Sequence, residues 1–462
     1  MLRTFLLTLP AALLLSACAQ SGRAPDYSTA TPRALGAGLA AFEAPPLDAQ
    51  APQVIAPDMV EPEDELDLRQ ALALALLHNP ELAVFSWEVR AAEARWIQAG
   101  LRPNPEIGFG LDEFAGSGAR AALKAAEFAL ELSQVIELGG KRAARQRVAA
   151  VEKDLAAWDY EAKRLEVLTA TTQAYVDALA AEKRWQLAGE TSELTGRVAE
   201  VVAERVRTGK VAGVENTKAK AEWAGIQADL EKAAQQRTAA RSALAAQWGA
   251  TQPRFQRLAG DLERVEELPD FAELRAKLAQ SPDLARWQAE MALRRANVVM
   301  ARAQGVPDLT VGGGGTRFAE DDTNALSAGI SLPLPLFDRN QGGKAEARVK
   351  LSQGAVQLRA VEAAVHRNLT QTWATLAAAR SEALIVRDGL LPNAQKALDA
   401  ASEGYRQGKW GYLDVLDAQR TLYEARARYL DALSEYHKAV AGAEGLIGES
   451  IHSSVPAPIQ EG

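Results

Sequence analysis

The chain is written twice. Asn79-Pro80-Glu81-Leu82 returns as Ser281-Pro282-Asp283-Leu284, and Pro105-Glu106-Ile107 returns as Pro307-Asp308-Leu309, both displaced by 202 residues. Gly139-Gly140-Lys141 returns as Gly342-Gly343-Lys344 at an offset of 203. Arg207-Thr208-Gly209-Lys210 returns as Arg406-Gln407-Gly408-Lys409 at an offset of 199. Four ordered matches at nearly constant spacing point to a tandem duplication of about 200 residues. Any fold for this chain must therefore be assembled from two equivalent halves.

Each half has the same grammar. An Ala-rich helix-forming stretch (66–101, then 270–304) ends at prolines. Two short alternating segments follow. Ile107, Phe109 and Leu111 alternate with Gly108, Gly110 and Asp112, and Phe128, Leu130, Leu132 and Gln134 alternate with Ala129, Glu131 and Ser133. In the second half Leu326, Ala328, Ile330 and Leu332 alternate with small and polar residues. A period of two over roughly 10 residues fits a tilted membrane-barrel strand, apolar outside and polar inside. It fits an ordinary antiparallel hairpin with one wet face equally well. A very long helix-forming run comes next (140–207, 342–407), interrupted by one proline, Pro392, in the second half alone. Such a run rises about 100 Å. After the Gly-Lys turns, shorter helices run over 213–248 and 411–446.

These lengths predict an architecture. A long descent is undone by two shorter ascents separated by a break at 250–270, so hairpins gather at one end and Gly-Lys turns at the other. The ascent from Gly213 is expected to continue into 270–304, and the ascent from Gly411 into 66–101. The fold class is mainly α with a small β part. Four strands cannot close a barrel, and open edges do not occur in lipid, so membrane entry requires several copies.

The amino terminus assigns the compartment. Residues 1–17 combine one Arg, an apolar run and small residues, which is the layout of a secretory signal and too short to span a bilayer. The only Cys, Cys18, follows Leu15-Ser16-Ala17, a tetrapeptide resembling a bacterial lipobox. Ala19, rather than an Asp, favours sorting to the outer membrane. Residues 18–62 read as a lipidated linker rich in Pro and Ala, 63–250 as the first repeat and 251–269 as an equatorial connector. Residues 270–448 read as the second repeat and 449–462 as a tail. A net charge of −8 argues against a nucleic-acid partner. One Cys and four scattered His exclude Cys-based metal sites and show no close-spaced ligand motif, and no cofactor or enzyme site is expected.

Together these features resemble the TolC-type outer membrane factor family over about residues 66–448. Leu101-Arg102-Pro103-Asn104-Pro105-Glu106 and Gln134-Val135-Ile136-Glu137-Leu138-Gly139-Gly140-Lys141-Arg142 look most like its heavy-metal cation-efflux (CzcC-like) branch. Leu413-Asp414-Val415-Leu416-Asp417-Ala418-Gln419, after Gly408, is similar to the family's periplasmic tip. The resemblance implies a homotrimer, with a 12-stranded outer-membrane β-barrel continuous with a long coiled-coil α-helical barrel. It further implies a passive exit duct, docked through a periplasmic adaptor to an inner-membrane RND transporter.

Asp414 and Asp417 share a helix face at three-residue spacing. By resemblance they ring the tunnel entrance and favour cations; equally, acids at a helix N-terminus complement its dipole. The first tip carries Glu215 at the matching place, followed by Lys218 where the second has Asp417. Gly209-Lys210 and Gly408-Lys409 are read both as helix C-caps and as adaptor-docking tips. Three functions remain open: an outer-membrane duct for heavy-metal cations, a multidrug duct of the same fold, and a non-conducting periplasmic coiled-coil lipoprotein.

Overall fold

The computed structural model describes residues 29–47 and 60–451. The signal segment, Cys18 and much of the linker lie outside the described residues. In chain order the elements are β1 (Glu65–Leu66), α1 (Leu68–His78), α2 (Pro80–Ala99), β2 (Glu106–Asp112), β3 (Glu127–Ile136) and α3 (Lys141–Arg207). Next come α4 (Gly213–Ala245), β4 (Arg257–Leu258), α5 (Phe271–Lys277), α6 (Pro282–Gln304), β5 (Leu309–Phe318) and β6 (Thr323–Ser331). The chain ends with α7 (Gln341–Ile385), α8 (Leu391–Arg406) and α9 (Tyr412–Ile447).

The duplication is visible in the caps. Asn79 and Ser281 each place a side-chain oxygen on the amide three residues ahead (Leu82, Leu284), with Pro at the first helical position. These breaks split the predicted stretches 66–101 and 270–304 into a short and a longer helix each. One match does not survive. Gly139 and Gly140 adopt positive φ, and Gly140 caps α3; the residue in the equivalent left-handed cap of α7 is Asn340, whereas Gly342 and Gly343 lie inside the helix. The structural offset there is 200, consistent with 199 at the tips. The 203-residue match pairs glycines doing different work.

α3 acts as a spine because it is flanked on both sides along its whole length. On one side it meets α2 above (Lys163–Glu81, 3.2 Å) and α4 below (Arg237–Glu182, 2.5 Å). On the other it meets α6 above (Arg286–Asp159, 2.5 Å) and α9 below (Arg184–Asp431, 2.5 Å). The vertical stacks are therefore α2 over α4 and α6 over α9. At the first joint Asn79 Nδ2 donates to the Gln247 carbonyl at 2.8 Å, and Trp248 packs with Leu74 in one buried cluster. At the second, Lys277 pairs with Glu449 at 2.6 Å and Ile447 packs with Leu274 and Leu278. This corrects the sequence expectation, which stacked α4 under 270–304 and α9 under 66–101. The connector carries the chain sideways across the spine, so each stack joins helices from opposite ends of a repeat boundary.

The connector is itself ordered. β1 and β4 pair in parallel, and the Tyr175 phenol in mid-α3 donates to the Leu66 carbonyl at 2.8 Å. Residues 29–47 form a strap across α3, where Glu161 and Arg164 make a buried ion pair at 2.8 Å. Glu161 accepts the Arg33 amide at 2.7 Å, and Arg164 donates to the Leu35 carbonyl at 3.0 Å, so the strap backbone completes both charged groups.

Candidate functional site

At the upper end β2, β3, β5 and β6 form one antiparallel sheet in that order. The register aligns the alternation across all four strands: Ile107 faces Leu132, Phe109 faces Leu130, Leu130 faces Gly315, and Gly315 faces Leu326. Over its middle rows one face is thus apolar, giving way to Arg317 and Asn324 at one rim and Gln134 at the other, and it lies open: Ile107 is 76% exposed, Phe109 71%, Leu326 94% and Ile330 74%. The opposite face carries Glu106, Asp112, Glu127 and Glu131 among Gly, Ser and Thr. Gly312 leaves room there for Glu131, whose carboxylate would lie 3.0 Å from an added Cβ. β2 and β6 are unpaired edges among the described residues. Water does not tolerate such an apolar face, nor lipid such an edge, so the sheet has the character of a barrel segment completed by further copies. No described helix is long and apolar enough to cross a membrane.

The residues of the two motifs that carried the resemblance tie this sheet to the spine. Arg145 in α3 grips Glu137 at 2.6 Å and donates to the carbonyls of Ala99 and Leu101. That hydrogen-bonded guanidinium holds the Glu137 carboxyl below the usual range. Lys141 pairs with Asp308 at 2.7 Å, while Asp308 also accepts the Leu138 amide at 3.0 Å. Burial pushes Asp308 up, but these partners outweigh it and its pKa is lowered.

At the lower end both hairpins close with the same turn. Gly209 (φ +71°) donates to Val206 and Lys210 to Arg205; Gly408 (φ +70°) donates to Tyr405 and Lys409 to Gly404. These paired bonds are the Schellman cap, and the left-handed residue is Gly in both. Lys210 and Lys409 are exposed and make no ion pair among the described residues. Asp414 accepts the Gly411 amide at 2.8 Å, so its carboxylate does serve the start of α9. Asp417, one turn on, is exposed, and its carboxylate has no partner among the described residues. Glu215 is half-buried in the first turn of α4, and its Oε2 has no hydrogen-bond partner.

The structure also assembles an aromatic core that sequence reading missed. Tyr405 and Tyr412 lie 6.1 Å apart between ring centroids, and Arg205 from the first hairpin stacks over Tyr405 at 4.3 Å. Both phenols are buried without a hydrogen-bond partner, and burial, with Glu222, Tyr405 and Glu215 nearby, pushes Tyr412 up to about 12. Trp410 lies against Gly404, which could not carry a side chain there. The missed signal was the aromatic spacing around the Gly-Lys turn, present in the second repeat only.

An open-edged sheet with an outward apolar face, mounted on a layer of helices many turns long, defines a channel-forming outer-membrane protein. The family model for outer membrane efflux proteins matches residues 71–250 and 274–449, and the chain belongs to that family. It is 33% identical over 383 residues to the cobalt-zinc-cadmium resistance protein CzcC of Cupriavidus metallidurans, covering 83% of this chain and 90% of that one. It is 25% identical to the outer membrane protein TolC of Escherichia coli over 80% of each chain. Among solved structures, CusC superposes with a TM-score of 0.73 at 19% identity, covering 86% of this chain and all of that one. The open-state MtrE channel of Neisseria gonorrhoeae gives 0.67 at 19% identity, covering 92% and 99%. The chain is an outer-membrane efflux protein, a passive channel rather than an enzyme.

Proposed function

We propose that this protein is the outer-membrane duct of a tripartite efflux system for heavy-metal cations. The observation that carries the cargo is the 33% identity to a cobalt-zinc-cadmium resistance protein over nine-tenths of that protein's length. Three copies, each giving four strands, would make a 12-stranded barrel, with β6 of one copy beside β2 of the next. Acylation at Cys18 would anchor the assembly in the outer membrane. The Gly209-Lys210 and Gly408-Lys409 turns would face the helical hairpins of a periplasmic adaptor, which joins the duct to an inner-membrane RND transporter. Asp414 and Asp417 of each copy would ring the periplasmic mouth, and a ring of carboxylates concentrates cations. Glu215 has a lesser part in this gate, because it is half-buried and its neighbour at the next turn is Lys218.

A growth-inhibition panel on a deletion strain tests the cargo. Sensitivity confined to divalent metals, restored by the wild-type gene, supports the metal duct. Sensitivity to hydrophobic drugs with normal metal tolerance transfers the duct to a multidrug pump. Silent planar bilayers from properly assembled protein would favour a non-conducting coiled-coil lipoprotein.

A further inference from the structure

The two strand-to-helix connections at the foot of the sheet differ in length and in what holds them. Four residues, 137–140, carry the chain from β3 into α3. They are clamped: Arg145 grips Glu137, and the Leu138 amide donates to Asp308. Nine residues, 332–340, carry it from β6 into α7. At the structural offset of 200, Phe337 stands where Glu137 does and Ala345 where Arg145 does, so the clamp has no counterpart.

The added length is apolar and bare. It begins Leu-Pro-Leu-Pro-Leu-Phe, and Leu332 is 45% exposed, Leu334 72%, Leu336 64% and Phe337 90%. A residue before proline is confined to extended backbone, so Leu332 and Leu334 prolong the outward row of Leu326, Ala328 and Ile330. The segment then folds on itself. The Leu336 amide donates to the Leu334 carbonyl at 2.8 Å, Arg339 Nε to the Pro335 carbonyl at 3.0 Å and Gln341 Nε2 to the Phe337 carbonyl at 3.1 Å. Its backbone is tied while its large side chains stay open, an arrangement unfavourable in water.

Cations flank this foot. Arg102 and Arg339 are exposed, Arg142 is half-buried, and none forms an ion pair among the described residues. Arg102 and Arg142 border a hollow of about 480 Å³ at the end of β3. Asp338, the one acid of the connection, is turned to the Asn340 amide at 2.8 Å. A neighbouring copy beside β6 would not cover the leucines. Pro333 and Pro335 after β6, like Pro103 and Pro105 before β2, lack the N–H that a ladder across the seam needs at this level.

We infer that Leu334, Leu336 and Phe337 form a foot seated in the periplasmic leaflet of the outer membrane, with Arg102, Arg142 and Arg339 taking the phosphates of anionic phospholipid. Apolar side chains fix the depth and the guanidinium groups fix the headgroup level, so the foot sets the height of the molecule in the bilayer. The inference rests on the barrel reading of the sheet and is independent of the cargo.

Spin labels test it in the full-length assembly in liposomes of phosphatidylethanolamine and phosphatidylglycerol. Leu334→Cys and Phe337→Cys report the foot and Ile330→Cys the sheet; the wild-type chain controls for labelling at Cys18. Labels at 330, 334 and 337 should all be relaxed more by oxygen, which concentrates in lipid, than by a water-soluble nickel chelate. A sheet label in lipid with foot labels reached by the chelate would overturn the foot, for the segment would stand in water. Foot labels reached by neither reagent would overturn it too, since a second copy would then cover them. A label at 330 that itself favours the chelate would sink the barrel reading. Spin-labelled phosphatidylglycerol should be immobilised about threefold more than spin-labelled phosphatidylcholine, and Arg102→Gln with Arg142→Gln and Arg339→Gln should abolish the difference. Equal immobilisation of the two lipids by the wild-type chain, or a preference indifferent to these substitutions, would overturn the phosphate contacts.

Discussion

The two hairpins start from the same turn and end as different objects. Both close on a left-handed Gly followed by Lys, with the same pair of backbone bonds. The first is built on an uninterrupted helix that also receives the amino-terminal strap and its buried ion pair. The second has a π-turn at Val386–Leu390 just before Pro392, an aromatic tip, and two exposed aspartates. Duplication thus left two copies of one scaffold that carry different side chains at matching levels. A shared turn is evidence of common geometry and says little about shared duty.

Four sets of substitutions sharpen or break this contrast. The largest effect is expected at Arg164→Ala, which leaves Glu161 buried without its partner. Loss of about 3–5 kcal/mol is anticipated, read as a fall in the unfolding midpoint of the assembled protein. The positions 200 residues on, Val361 and Ala364, carry no such pair, so Ala364→Gly should cost only about 1 kcal/mol. Comparable losses at the two would contradict the contrast between the strapped first long helix and its counterpart.

Proline at either turn glycine should cost about 3 kcal/mol locally, since φ near +70° and the donated amide are both forbidden to it. Gly408→Pro should abolish efflux while leaving assembly intact. Gly209→Pro should be milder in the resistance assay. Normal efflux with Gly408→Pro would remove the proposed docking role of the second turn.

Asp414→Asn with Asp417→Asn should weaken cation selectivity in planar bilayers. Asparagine at 414 keeps an oxygen that accepts the Gly411 amide, so this double variant should leave stability nearly unchanged. Glu215→Gln should leave selectivity nearly unchanged. An equal effect from Glu215 would make the two tips functionally alike.

The smallest effect concerns the junction shared by both halves. Glu137 titrates below its ordinary value because Arg145 holds it. A depressed carboxyl pKa contributes stability above the unfolded value, and that contribution is lost as pH falls through the folded value. Arg145→Gln should therefore remove a stabilising contribution present at neutral pH and steepen the loss on acidification less than in the wild type. Identical acid limbs in thermal melts of the two proteins would show that the clamp contributes nothing.

Much of this was legible in the chain. Alternation over Ile107–Leu111 and Phe128–Gln134 located strands because a pleated strand alternates faces whatever its neighbours do. The Gly-Lys turns were legible because a left-handed cap selects Gly. The acids were legible as positions but not as partners: only the folded tip shows that Asp414 serves the Gly411 amide whereas Asp417 is left open. The aromatic core was missed because its Arg205–Tyr405 contact joins residues 200 apart, and a periodicity argument sees one helix at a time.

The sequence by itself determined the two-fold repeat, the reach of the long helical stretches, and the alternation that gives the strands their two faces. These are local consequences of side-chain period, glycine and proline. Which helix stands on which was decided by the tertiary structure alone. Chain order suggested that α4 continues into α6, yet the exposed ends of α4 and α9 are satisfied by α2 and by the α5–α6 joint. There the Asn79 amide, the Lys277–Glu449 pair and the equatorial apolar clusters close the gaps. Helix ends and apolar faces are completed by whatever lies beside them in space, and a connector of some twenty residues is long enough to bring in a neighbour from elsewhere in the chain.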